Sequence, residues 1–435
     1  MLQQYNFLYN QQSLCFRLKF FERWDIREIL DFVSVRGLFQ KGDADTKVVV
    51  VVAEAKQSSP ESQILHATFR RSGRADAERG FDIDYYDMHW LPRKLVLTND
   101  NVWRTDLLSG GRLLDFVDRL KKFRTLRQYA ENRGWDKGEG FIVGESGKRS
   151  PAPHLTGKNF LPSKAILPTG IDASSISKVT DLVFKTAYTP KRYTPPMVLI
   201  REQMDLDCGA WLSSYLTYKN KVVGICGSPQ DAGAIHEIEQ WLRTEQAALK
   251  AFVAAISVRL FTQKATTLSE IDVLSLPFPD PLSLKLSPYE RILVDDIVDH
   301  YRDLIRLGED SAALKQSGLP ALPSFNDTYT QQINAIYKKN KLRALDPQFW
   351  PGLVCQPFVF GKGKVEWKGT EELKGKLDKL LRDELDSGLT ITRIARIYDG
   401  PCIYLLKPDR LRYWLRSIAL RDADETLADL WEQGF

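Results

Sequence analysis

The end of one apolar strand carries the residues that come closest to a catalytic arrangement. Val48–Ala53 is a β-branched run, and Glu54 and Lys56 follow it with one residue between them. Magnesium-dependent nucleases place an Asp and a Glu on the metal and use a nearby Lys to orient the attacking water. Residues two apart on a strand point to the same side. The acidic residues available upstream are Asp31, Asp43 and Asp45. A nuclease site is therefore one interpretation, and a charged strand end is the simpler one.

A second candidate site lies on a predicted helix near residue 300. Asp296 and His300 are one helical turn apart, as are Asp295 and Asp299, and this spacing can place two metal ligands on one face. A solvated, charged helix face explains it more simply. The five histidines are otherwise scattered, and the sequence contains no His-Glu-x-x-His motif and no nucleophile elbow. We assign no catalytic and no metal-binding residue from the sequence.

Composition and charge set broad limits on the protein. Its 435 residues are 43% hydrophobic and 27% charged, which predicts two to four compact globular units. The longest apolar run falls short of the roughly 20 residues that a membrane span needs, and the first residues do not look like a signal peptide. We expect a cytoplasmic protein without a membrane partner. A net charge of +5 permits nucleic-acid binding without requiring it.

The first 133 residues are expected to form an α/β unit built on one sheet. A helix and three strands are predicted at Leu14–Phe21, Ile26–Val33, Val48–Ala53 and Ile64–Phe69. The polar turn Ser58-Ser59-Pro60 separates the last two strands, so we expect them to form an antiparallel hairpin. A basic amphipathic helix follows from about Leu113 to Tyr129.

Residues 134–282 have the pattern of an irregular β-rich unit with long loops, because Gly and Pro recur and the strands are short. Strands are predicted at Met197–Arg201, Ala210–Tyr218 and Lys221–Cys226. Helices are predicted to begin at Ser228 and to cover Leu249–Phe261. A Pro-rich link, Leu276–Pro281, closes the unit.

Residues 283–318 are predicted to be a helical connector, and residues 319–435 a small α/β unit. Ser287 opens a helix that runs to about Leu307, and Gly318–Ser324 is a second link. A helix and two strands are expected at Glu371–Leu385, Ile391–Tyr398 and Ile403–Leu406. The basic tail Lys407–Arg416 either grips phosphates or a partner protein, or it holds Tyr413 and Trp414 in the core with its arginines pointing outward.

Two stretches resemble adenine-N6 DNA methyltransferases of restriction–modification and related defence systems. The first resembles the late strands of the methyltransferase sheet, and it comprises Phe16–Phe21, Ile26–Phe32, Arg36–Phe39 and the Val48–Ala53 strand. The second is similar to the family's target recognition domain, and it comprises Gly138–Gly144, Leu155–Phe160, Val198–Glu202, Ser213–Lys219 and Leu276–Pro279. Together they cover about residues 14–280.

The catalytic and cofactor motifs of that family are missing from the sequence. The family's Asn/Asp/Ser-Pro-Pro-Tyr/Phe tetrapeptide holds the adenine amino group and stacks the flipped base. The nearest string is Thr194-Pro195-Pro196-Met197, and Gly138-x-Gly140 does not follow a strand as an S-adenosylmethionine loop should. We therefore expect a truncated or split product that does not methylate DNA alone. S-adenosylmethionine would bind only where a partner or a missing N-terminal part supplies the site.

The resemblance implies that residues 134–282 contact DNA. Lys and Arg neutralise phosphates, and Arg and polar side chains read base edges in the major groove. The residues expected to contact DNA are Lys158, Asn159, Lys164, Lys191, Arg192, Arg201, Lys219 and Lys221, and Lys185 belongs to the same basic cluster. The interleaved aromatic residues are Phe160, Tyr188, Tyr193, Tyr215 and Tyr218. For any single residue, a solvated loop surface is the alternative.

The sequence thus predicts a mixed α+β protein: a partial methyltransferase-like sheet (1–133), a β-rich target recognition domain (134–282), a helical connector (283–318) and a small α/β C-terminal domain (319–435). The expected function is target recognition on double-stranded DNA, and a separate methyltransferase or restriction subunit is the other candidate partner. Two alternatives stay open. One is a magnesium-dependent nuclease that uses Glu54 and Lys56, and the other is a protein-interaction scaffold whose basic residues never meet DNA.

Overall fold

The chain has a mixed α+β fold, which confirms the predicted class. The computed structural model describes residues 1–35, 40–41, 44–45, 47–71, 80–108, 110–144, 147–257, 259–260, 267–307, 310–364, 382–385 and 389–434. Contacts divide the chain into two compact units. Unit 1 combines Met1–Leu114 with Pro288–Phe435, and unit 2 is Asp115–Ser287. The predicted recognition segment, 134–282, lies within unit 2, whereas the predicted C-terminal segment, 319–435, shares unit 1 with the N-terminal residues.

A five-stranded sheet organises the N-terminal part of unit 1. Its strands, in spatial order, are Leu2–Gln4, Val48–Glu54, Asp25–Asp31, Gln63–Thr68 and Met88–Pro92. The predicted hairpin between the second and fourth of these strands is wrong. Asp25–Asp31 lies between them, antiparallel to one (Ile29 opposite Val51) and parallel to the other (Glu28 opposite Leu65). The turn at residues 58–60 therefore leads the chain across a neighbouring strand instead of folding it back.

The C-terminal part of unit 1 is built on a second five-stranded sheet. Its strands are Leu342–Ala344, Gln348–Trp350, Leu353–Phe360, Ala395–Asp399 and Cys402–Pro408, with Leu353–Phe360 pairing three of the others. The α-helices of unit 1 are Asn6–Tyr9, Leu14–Arg23, Arg93–Thr98, Val102–Asp106, Arg112–Leu120, Pro288–Asp296, Arg302–Leu307, Ala312–Lys315, Leu322–Ile336 and Arg416–Glu432, the fifth of which continues into unit 2. Short 3-10 turns cover Gln11–Ser13, Tyr85–Asp87, Leu319–Ala321 and Leu411–Trp414, and Ile297–Tyr301 forms a π-turn. The predicted link at 318–324 is therefore mostly helical.

Strand pairing joins the two sequence-distant parts of unit 1. Leu389–Thr392 pairs in parallel with Phe81–Asp84, which also pairs with Arg70–Arg71. Arg382–Leu385 is a strand antiparallel to Leu389–Thr392, so the end of the helix predicted over 371–385 is wrong. The rest of that helix, residues 371–381, lies outside the described residues, as do the whole Arg36–Phe39 stretch and Asp43. A further small pair joins Gln40–Lys41 to Ala44–Asp45.

The described residues of unit 2 form four small sheets. The largest has the strand order Asp136–Glu139, Val222–Cys226, Met197–Arg201 and Cys208–Trp211. A three-stranded sheet places Asn159–Leu161 between Ser177–Lys178 and Thr217–Tyr218. Two-stranded pairs join Ser150–Pro151 to Val183–Phe184 and Ile166–Leu167 to Gly170–Ile171. The predicted strand over 210–218 is thus two strands in different sheets.

Helices flank these sheets in unit 2. They are Leu126–Asn132, Ala232–Thr244, Gln246–Ile256 and Glu270–Leu274, with 3-10 turns at Ser163–Ala165, Ala173–Ser175, Pro190–Tyr193 and Pro229–Asp231. The basic helix predicted from Leu113 to Tyr129 is interrupted after Leu120, because Thr125 starts a new helix through a reciprocal capping box with Gln128. The apolar core includes Leu161, Met197, Leu199 and Tyr218, all fully buried.

Candidate nucleic-acid interface

The three-stranded sheet of unit 2 gathers basic residues from three separate stretches of sequence. Asn159 lies opposite Lys178, whose Nζ donates a hydrogen bond to Asn159 Oδ1 at 2.8 Å. On the other side, Phe160 lies opposite Thr217, two residues before Lys219. Lys158 directly precedes the central strand. We call Lys158, Lys178, Lys185 and Lys219, together with Asn159, the basic sheet surface, meaning the cations on and around this sheet. Asn159 and Lys178 point to one side of the sheet, and Phe160, which contacts Lys219, points to the other.

Lys219 is held in place by aromatic rings and one carboxylate. Its Nζ lies 5.5 Å from the ring centre of Phe160 and 5.6 Å from that of Phe141. The same atom is 3.3 Å from Asp181 Oδ2. Cation–π contact of this kind is worth about 0.5–1 kcal/mol at an exposed site. The side chain stays 42% exposed, so its charge remains available to a ligand at the surface.

Lys185 reaches the same region through the neighbouring chain segment. Its backbone N–H donates to Ile142 O at 2.8 Å, and Phe141 forms an isolated bridge with Lys219. Lys158, Lys178 and Lys185 are all exposed. Among the residues that the structure describes, Lys158 and Lys185 have no acidic partner within 4 Å. Their charges are therefore not neutralised by the described part of the protein.

The distribution of charge singles out this part of the chain. Residues 115–287 contain 23 Lys and Arg against 18 Asp and Glu, an excess of five that equals the formal charge of the whole protein. Residues 141–200 alone contain eight basic and three acidic residues, again an excess of five. The positive charge is therefore a local property of unit 2, and a local basic surface is the electrostatic signature of nucleic-acid binding.

The other predicted contact residues lie elsewhere in unit 2. Lys191 and Arg192 are in the 3-10 turn Pro190–Tyr193, where Lys191 Nζ donates to Gly134 O at 2.9 Å. Arg192 forms a partly buried ion pair with Asp136, donates to Glu139 O at 2.7 Å, and stacks on the Tyr188 ring at 4.5 Å. The Arg192 guanidinium is therefore already occupied by partners within unit 2.

Arg201, Lys221 and Lys164 form no single cluster with the basic sheet surface. Arg201 lies opposite Val222 at a strand end, with its Nη1 3.9 Å from Asp207 Oδ2. Lys221 precedes Val222 and has a positive φ of 80°. Lys164 is exposed in the turn Ser163–Ala165. The residues predicted from the sequence to contact DNA therefore lie on several surfaces. Lys178 was not among them, although the shortage of acidic residues over 141–200 could have indicated it.

Two of the aromatic residues named with the basic cluster belong to the core. Tyr193 and Tyr218 are both fully buried, and Tyr218 Oη donates to Arg192 O at 3.1 Å. Met197, at the end of the Pro-Pro string, is also fully buried at the start of a strand. Met197 therefore packs in the core of unit 2.

Glu54 and Lys56 form an ion pair with each other. Lys56 Nζ lies 2.5 Å from Glu54 Oε2, and Arg27 Nε lies 3.1 Å from Glu54 Oε1. Asp25, opposite Glu54 on the neighbouring strand, contacts both cations as well. Asp31, one of the acidic partners considered for the nuclease, is at the far end of that strand and is fully buried. Asp31 is therefore not at this site, and Asp25 is the carboxylate that lies beside Glu54 and Lys56.

The acidic helix near residue 300 has a structural role. Asp296 is buried, and its Oδ2 accepts a hydrogen bond from the Ser417 backbone N–H at 2.6 Å, at the start of the helix Arg416–Glu432. Asp295 Oδ2 pairs with Arg416 Nη2 at 2.8 Å. Carboxylates are stabilising at a helix N-terminus. In the part of the chain that the structure describes, no group of three or more His, Cys, Asp or Glu side chains could hold a metal ion.

The basic tail is part of the core of unit 1. Tyr413 and Trp414 are fully buried, as predicted by one of the two interpretations, but Lys407 and Arg412 point inward with them instead of outward. Lys407 Nζ pairs with Asp422 and lies 4.2 Å from the Phe325 ring centre. Arg412 bridges Asp84 and Asp87. The tail therefore offers few free cations to a phosphate.

Comparisons with known proteins do not identify a family. No protein-family model matches the chain, and no curated protein is significantly similar to it. Over the described ranges, we also find no helix with both the length and the apolar character needed to cross a membrane.

Proposed function

We propose that this protein is the DNA-binding, target-recognition portion of an adenine-N6 DNA methyltransferase of restriction–modification or defence type. In this proposal, the basic sheet surface contacts the phosphates of double-stranded DNA. The chain relies on a separate methyltransferase or restriction subunit, or on a further N-terminal part, for S-adenosylmethionine binding and base flipping. It acts in the cytoplasm, where its DNA and that subunit would meet.

The observation that supports the proposal is the grouping of exposed lysines around one small sheet, two of which, Lys158 and Lys185, have no acidic partner among the described residues. Strand pairing brings Lys158, Lys178 and Lys219 together, and Lys185 joins them through the Ile142 segment. Each lysine that meets a phosphate releases condensed counterions, which supplies most of the affinity in non-specific DNA binding. Asn159, in the middle of this surface, has an amide of the type that reads adenine edges.

The order of sequence features supports the methyltransferase part of the proposal. The elements that resemble late methyltransferase strands fall in unit 1, and those that resemble the recognition domain fall in unit 2. The sequence has neither the family's catalytic tetrapeptide nor its cofactor loop. Recognition without catalysis is the function that this combination supports.

A DNA-binding measurement with matched variants tests the proposal. Fluorescence anisotropy of a labelled duplex at low salt should show binding by the unaltered chain. The triple variant Lys158→Gln/Lys178→Gln/Lys185→Gln should bind about 10- to 100-fold more weakly. The control variant Lys338→Gln/Lys339→Gln/Lys341→Gln removes three exposed lysines of unit 1 and should bind like the unaltered chain. Absence of any binding by the unaltered chain would favour the scaffold interpretation.

A methyl-transfer assay tests the second part of the proposal, that this chain does not methylate DNA alone. The purified chain should incorporate no tritiated methyl groups from S-adenosylmethionine into duplex DNA. Incorporation without an added subunit would refute the proposed division between recognition and catalysis.

A further inference from the structure

A cavity of about 570 Å³ lies in unit 1 beside the strand Met88–Pro92. Most of its wall is apolar, and the apolar side chains include Leu91, Leu95, Val102, Leu293 and Leu420. Cavities of 300–1,000 Å³ with apolar walls and a few polar groups are the usual form of small-molecule sites. The volume suffices for a molecule of one or two rings.

The charged residues in the wall of this cavity neutralise one another. Arg112 forms a double contact with Asp424, at 2.8 and 2.6 Å. Arg421 Nε donates to Glu425 Oε1 at 3.0 Å, and its Nη atoms donate to backbone carbonyls. Both arginines are paired with carboxylates, and the third carboxylate in the wall, that of Asp106, contacts His66 at 3.0 Å. Every charged side chain in the wall therefore already has a partner of opposite charge. The cavity favours an uncharged ligand.

One polar group in the wall has an unused hydrogen-bonding atom. His89 is 93% buried, and its Nε2 has no hydrogen-bond partner among the described residues. An unpaired buried polar atom costs about 1–3 kcal/mol, so a hydrogen bond donated to it by a bound molecule would be stabilising. Gly110, with a φ of 66°, packs on the ring, and a Cβ at this position would lie 2.7 Å from His89 Cε1. Only glycine fits here.

A buried network sets the protonation state of His89. Its Nδ1 faces Asp106 Oδ1 at 3.7 Å, and Asp106 Oδ2 is 3.0 Å from Nδ1 of His66. His66 also contacts Asp31 through Nε2, at 3.3 Å. Burial lowers the pKa of His89 to about 4, although Asp106 opposes this shift. A neutral imidazole with Nδ1 toward a carboxylate carries its proton on Nδ1, which leaves Nε2 as an acceptor.

The same network argues for binding and against catalysis at His89. A general base needs a pKa near the working pH, and a carboxylate partner that raises it. Here Asp106 is shared with His66. Burial lowers the pKa of His66, but the hydrogen bonds that its ring donates to Asp106 and Asp31 outweigh burial and raise the pKa to about 9. The Asp106 carboxylate is thus largely committed to His66. His89 remains a neutral acceptor.

We propose that this cavity binds a small uncharged molecule, apolar over most of its surface, which donates one hydrogen bond from a hydroxyl or N–H group to Nε2 of His89. The site is independent of DNA binding by unit 2. Nε2 is buried in the unliganded protein, so a donor has to displace a lining side chain to reach it. Trp90, which also lines the cavity, is 63% exposed.

A matched pair of ligands tests the proposal on the unaltered protein. Phenol and anisole have similar shape, but only phenol can donate a hydrogen bond. The full chain, labelled with ¹⁵N at its five histidines, is titrated with each compound up to about 10 mM. Phenol should shift the Nε2 signal of His89 in a saturable way, and anisole should bind about tenfold more weakly. No shift with phenol, or equal affinity for the two compounds, overturns the proposal.

A glycine variant provides a second, structural test. Gly110→Ala forces a methyl group against the His89 ring and should weaken phenol binding at least about tenfold. Gly352→Ala is the matched control, because Gly352 has a similar φ of 79°, a methyl group added there would have nothing within 4 Å of it, and the residue has no place in the cavity wall. It should bind phenol like the unaltered chain. If Gly110→Ala proves unfolded, the phenol–anisole comparison still decides the question.

Discussion

Arg412 holds together the two sequence-distant parts of unit 1, and its removal should destabilise that unit strongly. Its guanidinium is 2% exposed, with Nη1 2.8 Å from Asp84 Oδ2 and Nη2 2.5 Å from Asp87 Oδ1. Arg70 contacts the same two carboxylates. Truncation at Arg412 leaves two buried carboxylates with one cation between them. Breaking a buried ion pair from one side costs about 3–5 kcal/mol.

Urea unfolding of Arg412→Ala measures this cost directly. With a typical urea dependence of about 2 kcal/mol per molar, the midpoint of the unit 1 transition should fall by roughly 2 M. Trp103 and Trp414, both fully buried in unit 1, report the transition by fluorescence. Arg416→Ala is the matched control from the same segment, since its pair with Asp295 is partly exposed and should contribute less than about 1 kcal/mol.

The comparison between these two variants can refute the reasoning. If Arg412→Ala lowers the free energy of unfolding by no more than Arg416→Ala does, the buried cluster does not stabilise the junction. Arg412→Lys offers a further check, because a lysine keeps the charge but cannot contact both carboxylates in the planar, forked manner of arginine. It should fall between the unaltered chain and Arg412→Ala.

Three further predictions concern stability. The pKa of His66 is raised from 6.5 to about 9, so its contribution to folding stability is full below pH 6.5 and is lost as the pH rises through 9. Urea midpoints should fall over that pH range by the equivalent of about 3 kcal/mol. His66→Gln should reduce this loss of stability at alkaline pH. Gly224→Ala would place a Cβ 2.0 Å from Tyr218 Oη and should destabilise unit 2 by about 1–3 kcal/mol or more. Gly233→Ala, in an open position of the helix Ala232–Thr244, should instead stabilise unit 2 by about 0.5–1 kcal/mol. Equal thermal stability of the two variants would contradict the packing argument. Thr125→Ala removes a capping box and should lower the free energy of unfolding by about 1 kcal/mol, whereas Thr125→Ser should keep most of that stability.

Local patterns in the sequence predicted the elements well where burial and periodicity agree. Met197–Arg201 is a strand with the predicted bounds, and the Val48–Ala53 run extends by one residue. The sequence could not show that Asp25–Asp31 inserts between two strands that are adjacent in the chain. Pairing of distant strands depends on register and on the cores that they share, and neither is written in a local pattern.

Charged residues were the main source of error in the candidate site. Lys407 and Arg412 look like a solvated basic tail in sequence, yet both are buried against acidic partners, Asp422 and the Asp84–Asp87 pair, that are contributed by other elements. Arg192 is likewise committed to Asp136. Whether a lysine or arginine is available to DNA depends on where its acidic partners lie in space. Lys158 and Lys185 meet that condition, and only the folded chain distinguishes them.

The salt dependence of DNA binding tests the central claim most directly. The logarithm of the binding constant should fall linearly with the logarithm of salt concentration, and the slope should lessen by about 3 in the Lys158→Gln/Lys178→Gln/Lys185→Gln variant, since each phosphate contact contributes about 0.9. The unit 1 lysine control should keep the slope of the unaltered chain. Equal slopes for all three proteins would show that DNA, if bound, is held elsewhere, and would contradict the assignment of the interface to the basic sheet surface.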